Sequence, residues 1–278
     1  MLDLGKTQEL QIARQVSFGF YLADPSDPTE EVLLPGGQIP DSSPVGNMVN
    51  VFLYKDSKDR LIATVKKPLL EVGQIGMLTV RETGKIGAFL DWGLPKDLLL
   101  PFREQTGKVK KGRSYPVAVY IDKSGRLCAT MRLYDRLSAK SPYEKDAHVN
   151  GHIYEMNPKF GIFVAVDERY SGMIPRQEDT RGFELGDAVS CRVSAVREDG
   201  KLTLSPKEKA YIQIGNDADV IEQALLERDG HLALTDHSDP EEIRRVLHMS
   251  KAAFKRGVGH LLKEGKITLL ENEIVRKD

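Results

Sequence analysis

Few side chains in this 278-residue chain stand in a pattern that suits covalent or metal chemistry. The two cysteines, Cys128 and Cys191, lie in apolar alternating segments with no second ligand at zinc-finger spacing, so they read as buried, reduced thiols. His148 and His152 are four apart, but Asn150-Gly151 between them argues against a helix that would align them as a metal pair. Asp239, Glu241 and Glu242 are better explained as the acidic first turn of a helix than as a carboxylate site. There is no glycine-rich phosphate loop, no Gly-x-Ser-x-Gly elbow and no metal-binding carboxylate array. The expectation is a chain with no catalytic residue, no metal and no cofactor. A different chemistry is offered by aromatic rings beside a basic residue and a glycine, as in Lys159-Phe160-Gly161-Ile162-Phe163. An aromatic in a strand is ordinarily core. A glycine in a strand often marks a bulge or a close approach by another group. Both readings of Phe160 stand at this level.

The elements that must position such residues come from an internal repeat. Gly19-Phe20-Tyr21-Leu22, Gly87-Ala88-Phe89-Leu90 and Gly161-Ile162-Phe163-Val164 each open a unit. A proline follows 16, 14 and 14 residues later, at Pro35, Pro101 and Pro175. A second glycine, Gly46, Gly112 or Gly186, is always 11 residues further on. The units close on Arg60-Leu61-Ile62-Ala63-Thr64, Arg126-Leu127-Cys128-Ala129-Thr130 and Lys201-Leu202-Thr203-Leu204-Ser205. These begin 14, 14 and 15 residues after the second glycine, so the third copy holds a one-residue insertion. In between, apolar residues alternate: Val49, Val51 and Leu53; Tyr115, Val117, Val119 and Ile121; Val189, Cys191, Val193 and Ala195. Period two means a half-buried strand. Lys123-Ser124-Gly125 and Glu198-Asp199-Gly200 read as hairpin turns. About five short strands in about 65 residues fit a small closed barrel of the OB type.

Residues 211–278 lose the alternation. Asp217 is expected to cap a helix running to about Asp229, with Val220, Ala224 and Leu225 on its core face. Asp239-Pro240-Glu241-Glu242 starts a second helix. Ser250 caps a third, with Phe254, Val258, Leu261 and Leu262 as its stripe and Gly265 as its stop. Ile267–Leu270 and Ile274-Val275 then read as a hairpin. Three helices ending in a hairpin is the order of a winged helix.

The third copy resembles an S1-type RNA-binding domain. The likeness rests on Lys159-Phe160-Gly161-Ile162-Phe163-Val164, Gly172-Met173-Ile174-Pro175 and Asp199-Gly200-Lys201-Leu202-Thr203-Leu204-Ser205. Pro175 stands where that family usually has histidine, as do Pro35 and Pro101 in the more divergent first and second copies, so one possible base contact is missing. Three such barrels before a winged helix resemble the bacterial CvfB family over essentially the whole chain. The fold class expected is mainly β: three tandem five-stranded OB-fold (S1-type) barrels at 1–67, 68–138 and 139–210, then a small α+β winged-helix domain at 211–278. The resemblance implies a non-enzymatic regulator of gene expression that binds RNA.

It also implies roles for particular residues. Phe160 and Phe163 match the platform on which single-stranded bases stack, a contact worth about 1–3 kcal/mol per base. Lys201 matches the adjacent basic position, and Lys159 precedes the platform. Phe18, Tyr21 and Arg60 correspond in the first copy. In the second, Ile86 replaces one aromatic and leaves Phe89 and Arg126. The acid usual before the closing hairpin survives as Asp56 and Asp122; in the third copy Val196 or Arg197 falls there. Trp92 reads as core or interdomain packing. In the winged helix, Lys251, Lys255 and Arg256 lie off the core stripe, which suits either a phosphate-facing recognition helix or a solvated face.

The charges sum to −1, so a purely electrostatic binder is not expected. Residues 68–138 hold 12 basic and 7 acidic side chains, with Lys108, Lys110, Lys111 and Arg113 clustered in a stretch that is either solvated or set against phosphates. Residues 210–278 hold 10 against 13, a poor balance for a DNA-binding transcription factor led by the winged helix, which is the alternative reading. The expected partner is single-stranded RNA, mRNA among its sources, with no membrane and no small-molecule substrate. No apolar run approaches the ~18 residues of a membrane span. The start Met1-Leu2-Asp3-Leu4-Gly5-Lys6 lacks the form of a secretory signal, so a cytoplasmic location is expected.

Overall fold

The computed structural model describes residues 2–178, 180–206 and 210–277, the side chains of 210–216 excepted. The chain divides into two compact units, Met1–Pro206 and Lys207–Asp278.

The first unit holds three closed five-stranded barrels. Their strands are β1 (Thr7–Val16), β2 (Gly19–Asp24), β3 (Asp27–Pro35), β4 (Met48–Lys55) and β5 (Leu61–Thr64); β6 (Ile75–Thr83), β7 (Gly87–Asp91), β8 (Leu98–Pro101), β9 (Ser114–Ile121) and β10 (Leu127–Thr130); and β11 (His148–Asn157), β12 (Gly161–Val166), β13 (Tyr170–Pro175), β14 (Ala188–Val196) and β15 (Leu202–Ser205). In each, the first strand pairs with the second and the fourth, and the third lies parallel to the fifth, as Leu33 opposite Ile62 shows. That is OB-fold connectivity. The first strand serves two partners by bending at a bulge, placed alike three times: between Ile12 and Arg14, Val80 and Glu82, and Ile153 and Glu155.

The repeated glycine and proline meet across the barrel wall. Gly19 pairs with Pro35, Gly87 with Pro101 and Gly161 with Pro175. A Cβ on these glycines would lie 2.2, 2.2 and 2.1 Å from the carbonyl oxygens of Leu34, Leu100 and Ile174. Each glycine is therefore demanded by the neighbouring strand and not by an approaching ligand. The insertion in the third copy is a bulge in β14, between Val193 and Ala195. It turns Ala195, expected on the core face, out to solvent. The closing hairpins then coincide: Asp56, Asp122 and Arg197 each donate their N–H to the carbonyl of Arg60, Arg126 and Lys201. Arg197 thus occupies the acid's position.

Strict alternation fails where barrels touch. Val51 and Leu53 of β4 enter the core of their own barrel, while Phe52 and Tyr54 on the opposite face join the core of the second. Trp92 is 2% exposed and stands edge-on to Phe52 at 5.7 Å, so its role is interdomain packing. A separate cluster of Ala118, Leu133, Leu137, Tyr154 and Ala165 links the second barrel to the third. Arg113 pairs with Glu184 and Asp187, and Lys110 with Glu184, so half of the basic stretch straps barrel to barrel.

The second unit contains α1 (Ala210–Leu226), β16 (His231–Leu232), α2 (Pro240–Leu247), α3 (Lys251–Lys263), β17 (Ile267–Leu269) and β18 (Ile274–Arg276), with sheet order β16-β18-β17. Asp239 caps α2 by accepting from the Glu241 N–H, and Ser250 caps α3 by accepting from Ala253, as expected. Two expectations fail. Asp217 lies inside α1, not at its start. Val220 is 44% and Leu262 39% exposed, and Ala218 and Ile221 carry the core face of α1 beside Ala224 and Leu225. The core face of α1 is set by its packing on α3, where Ile221 lies against Gly257, and not by where the helix starts.

Two glycines of α3 differ in what surrounds them. A Cβ on Gly257 would lie 2.7 Å from Ile221 Cδ1 and 2.8 Å from the Asp217 carbonyl oxygen, whereas one on Gly259 meets nothing within 4 Å. Gly259→Ala should stabilise the helical unit by about 1 kcal/mol through helix propensity. Gly257→Ala should destabilise it by about 1–3 kcal/mol through overpacking. Urea unfolding followed at the helical circular-dichroism band measures both, and equal signs would contradict the assigned helix crossing.

Candidate nucleic-acid interface

The three copies present the same positions with different surroundings. Phe18, Ile86 and Phe160 precede the wall glycines and are 58%, 60% and 54% exposed. In the third barrel the turn before β12 is held by Asn157, whose side-chain oxygen accepts from the N–H groups of Lys159 (3.0 Å) and Phe160 (3.3 Å). That turn presents the Phe160 ring to solvent, with the Lys159 ammonium 5.5 Å from its centroid. Phe163 is half-buried. It meets Tyr134 edge-on at 5.9 Å and Tyr154 at 6.1 Å. Tyr134 comes from the segment after β10, so the second barrel's tail supplies a wall of the third barrel's site. Lys201 Nζ donates to the Tyr134 hydroxyl (2.9 Å), sits 4.3 Å from that ring's centroid and lies 3.4 Å from Asp199. The tyrosine hydroxyl, and after it Asp199, hold the lysine pKa above its ordinary value. Tyr134, Phe160, Phe163 and Lys201 line an open cavity of about 510 Å³, together with Glu155 and Met173. Flat rings, a lysine and a carboxylate in one open cleft can stack a planar base, hold a phosphate and accept from an exocyclic amine.

The other two copies are differently occupied. In the first, the Arg14 guanidinium covers the Tyr21 ring at 3.8 Å and pairs with Glu31 at 2.7 Å. Arg60 is bound to Asp56 at 2.6 Å. In the second, Phe89 and Arg126 line a smaller cavity of about 280 Å³, together with Tyr54 and Asp59 of the first barrel. Arg126 forms an ion pair with that Asp59. The structure thus brings Phe160, Phe163, Lys159 and Lys201 together, and leaves Arg60 and Arg126 engaged by carboxylates.

Four contributors escaped the sequence reading: Tyr134, Asn157, Glu155 and Arg14. Glu155 and Arg14 share a detectable position. Each directly follows the bulge and pairs in register with the second ring, Phe163 or Tyr21. Tyr134 lies outside every repeat and carries no such mark.

In the helical unit, Lys251 Nζ donates to the Ser238 carbonyl at 2.8 Å, and Arg256 pairs with Asp217 of α1 at 2.9 Å. Both are fastened within the unit. Lys255 is exposed and has no partner among the described residues. Both cysteines are buried and free, and burial pushes each thiol up to about 11. No described helix is long and apolar enough to cross a membrane.

These features define the class: a chain of S1-type barrels followed by a winged helix. The family model for the CvfB-like winged helix domain matches residues 219–275, and that for the S1 domain matches residues 4–66 and 72–132. The S1 match therefore falls on the two copies whose motifs diverge more. The uncharacterized protein YitL of Bacillus subtilis is 32% identical over 273 residues, 95% of this chain and 90% of its own. Conserved virulence factor B of Staphylococcus aureus is 30% identical over 260 residues, 86% of this chain and 84% of its own. The crystal structure of a multidomain protein with nucleic acid binding domains from Streptococcus pneumoniae aligns over 99% of this chain and 98% of its own, with 25% identity and a TM-score of 0.53. The chain belongs to the conserved virulence factor B (CvfB) family.

The Asp56–Arg60 pair makes a measurable claim. Arg60's side-chain hydrogen bonds, and then its backbone N–H, hold the Asp56 carboxyl at about 2, below the usual 3.8. A carboxyl depressed in the folded state stabilises it above the unfolded value and loses that contribution as pH falls. NMR titration should place the Asp56 midpoint near 2, and Asp56→Asn should remove the part of acid destabilisation that falls between about pH 4 and 2. A midpoint near 4 would show that Arg60 is free.

Proposed function

We propose that this protein binds single-stranded RNA, mRNA included, chiefly through its third barrel, and acts without catalysis as a post-transcriptional regulator of gene expression. One observation carries the reading: the exposed Phe160 ring, flanked by Lys159, at the mouth of a cleft walled by Phe163, Tyr134 and Lys201. Stacking supplies affinity that tolerates any base. It does not need the large net positive charge that this chain lacks. Supporting the reading are the S1 domain match and a structural relative described as having nucleic acid binding domains. The name of the staphylococcal relatives supports a role bearing on virulence in pathogens. The helical unit is a weak candidate for leading duplex DNA recognition, because Lys251 and Arg256 are already engaged and Lys255 alone stands free among the three.

Phe160→Ala should weaken binding to a short single-stranded RNA by about 1–3 kcal/mol while leaving the melting temperature unchanged, since the ring is exposed. Phe163→Ala should weaken binding and also lower stability, because its ring packs on Tyr134 and Tyr154. Fluorescence anisotropy and thermal scanning on the same samples read both effects. Full RNA affinity in Phe160→Ala would overturn the third-barrel assignment. Lys255→Glu should leave RNA affinity unchanged, and duplex DNA should compete more weakly than RNA of equal length. Better competition by the duplex would return the lead to the winged helix.

A further inference from the structure

The cavity between the first two barrels has a chemistry of its own. Its lining includes three aromatic residues: Phe89, which is half-buried, and Tyr54 and Trp92, which are buried in the core that joins the two barrels. Its volume, about 280 Å³, suits one nucleoside and not a run of stacked bases. Three cations line it: Lys55, Lys96 and Arg126. Arg126 is neutralised by Asp59. Lys96 Nζ donates to the carbonyl oxygens of Lys55 (3.2 Å) and Asp56 (2.8 Å), which carry no charge. Lys55 Nζ lies over the second barrel's closing turn, 3.3 Å from where a Cβ on Gly125 would be, and has no anionic partner among the described residues. Asp97, the other acid of the lining, is paired with Arg81. Two ammonium groups without a carboxylate therefore stand beside a cavity in which the Phe89 ring is part-exposed.

We infer that this junction binds one nucleoside phosphate, its base against the half-buried Phe89 ring and its phosphate at Lys55 and Lys96. A part-exposed ring holds a base by stacking, and lysine holds phosphate as a point charge. The nucleotide is either free or the phosphorylated 5′ end of an RNA, since both present the same groups. The smaller volume, about 280 Å³ against 510 Å³, separates the second barrel's role from the cleft of the third.

Trp92 is the only tryptophan of the chain and lines the pocket, so its emission reports occupancy without a label. The full-length protein is titrated with nucleoside 5′-monophosphates, unphosphorylated nucleosides, inorganic phosphate, and short RNAs with a 5′-phosphate or a 5′-hydroxyl. A saturable change in Trp92 emission is expected with monophosphates, with 5′-phosphorylated RNA, or with both, and the responding arm identifies the source. Lys55→Ala should weaken it at least tenfold, and Lys55→Arg should restore it. Phe160→Ala should leave it intact, so failure here and failure of the third-barrel reading are distinguishable. No response in either arm at millimolar concentration would overturn the inference. So would equal responses to inorganic phosphate or to the unphosphorylated nucleosides.

Discussion

Phe52 and Tyr54 point away from the interior of their own barrel, and the need to keep water from them organises the first unit. A fully buried ring of this size contributes about 1.5–3 kcal/mol relative to an exposed one. That gain is realised only if a neighbour covers β4. The second barrel does so, with Trp92 against Phe52. The arrangement brings the β4–β5 hairpin over the second barrel's face, so that Asp59 meets Arg126. A packing requirement in one barrel thereby decides the accessibility of the next.

The three copies show how one scaffold takes three surfaces. The bulge in the first strand, the glycine–proline contact and the closing hairpin recur at matching positions, because each is a condition for closing a five-stranded sheet. What lies over the face is set from outside the repeat. Arg14 covers Tyr21 in the first barrel, a hairpin of the first barrel lines the cavity of the second, and Tyr134 lines that of the third. The size of the cleft, about 510 Å³ against 280 Å³ in the second barrel, distinguishes the third site more than the ring motif does.

In the helical unit, charge is spent on internal fastening. Arg256 ties α3 to α1 through Asp217, and Lys266 ties the wing to Glu222. The crossing of the two helices at Gly257 brings the Asp217 backbone within a Cβ's reach. Of the basic face read from helical spacing, Arg256 thus partners an acid of α1, Lys251 is held by the Ser238 carbonyl, and Lys255 stays exposed.

The repeat spacing, the period-two alternation and the helix caps at Asp239 and Ser250 are local, and the chain alone determined them along with the fold class and barrel count. Positions such as Phe160 and Lys201 were likewise visible, because motif spacing persists within a repeat. The start of α1 was misplaced, since Asp217 has a cap's chemistry but its partner is a guanidinium distant in sequence. Only the tertiary structure decided which cations are free and which faces are open. Tyr134 and Asp59 act on barrels other than their own, and no periodicity records a contact whose partners are 67 residues apart, as both Lys201–Tyr134 and Arg126–Asp59 are. Local geometry is written in neighbouring residues, whereas accessibility depends on what the rest of the chain brings over the surface.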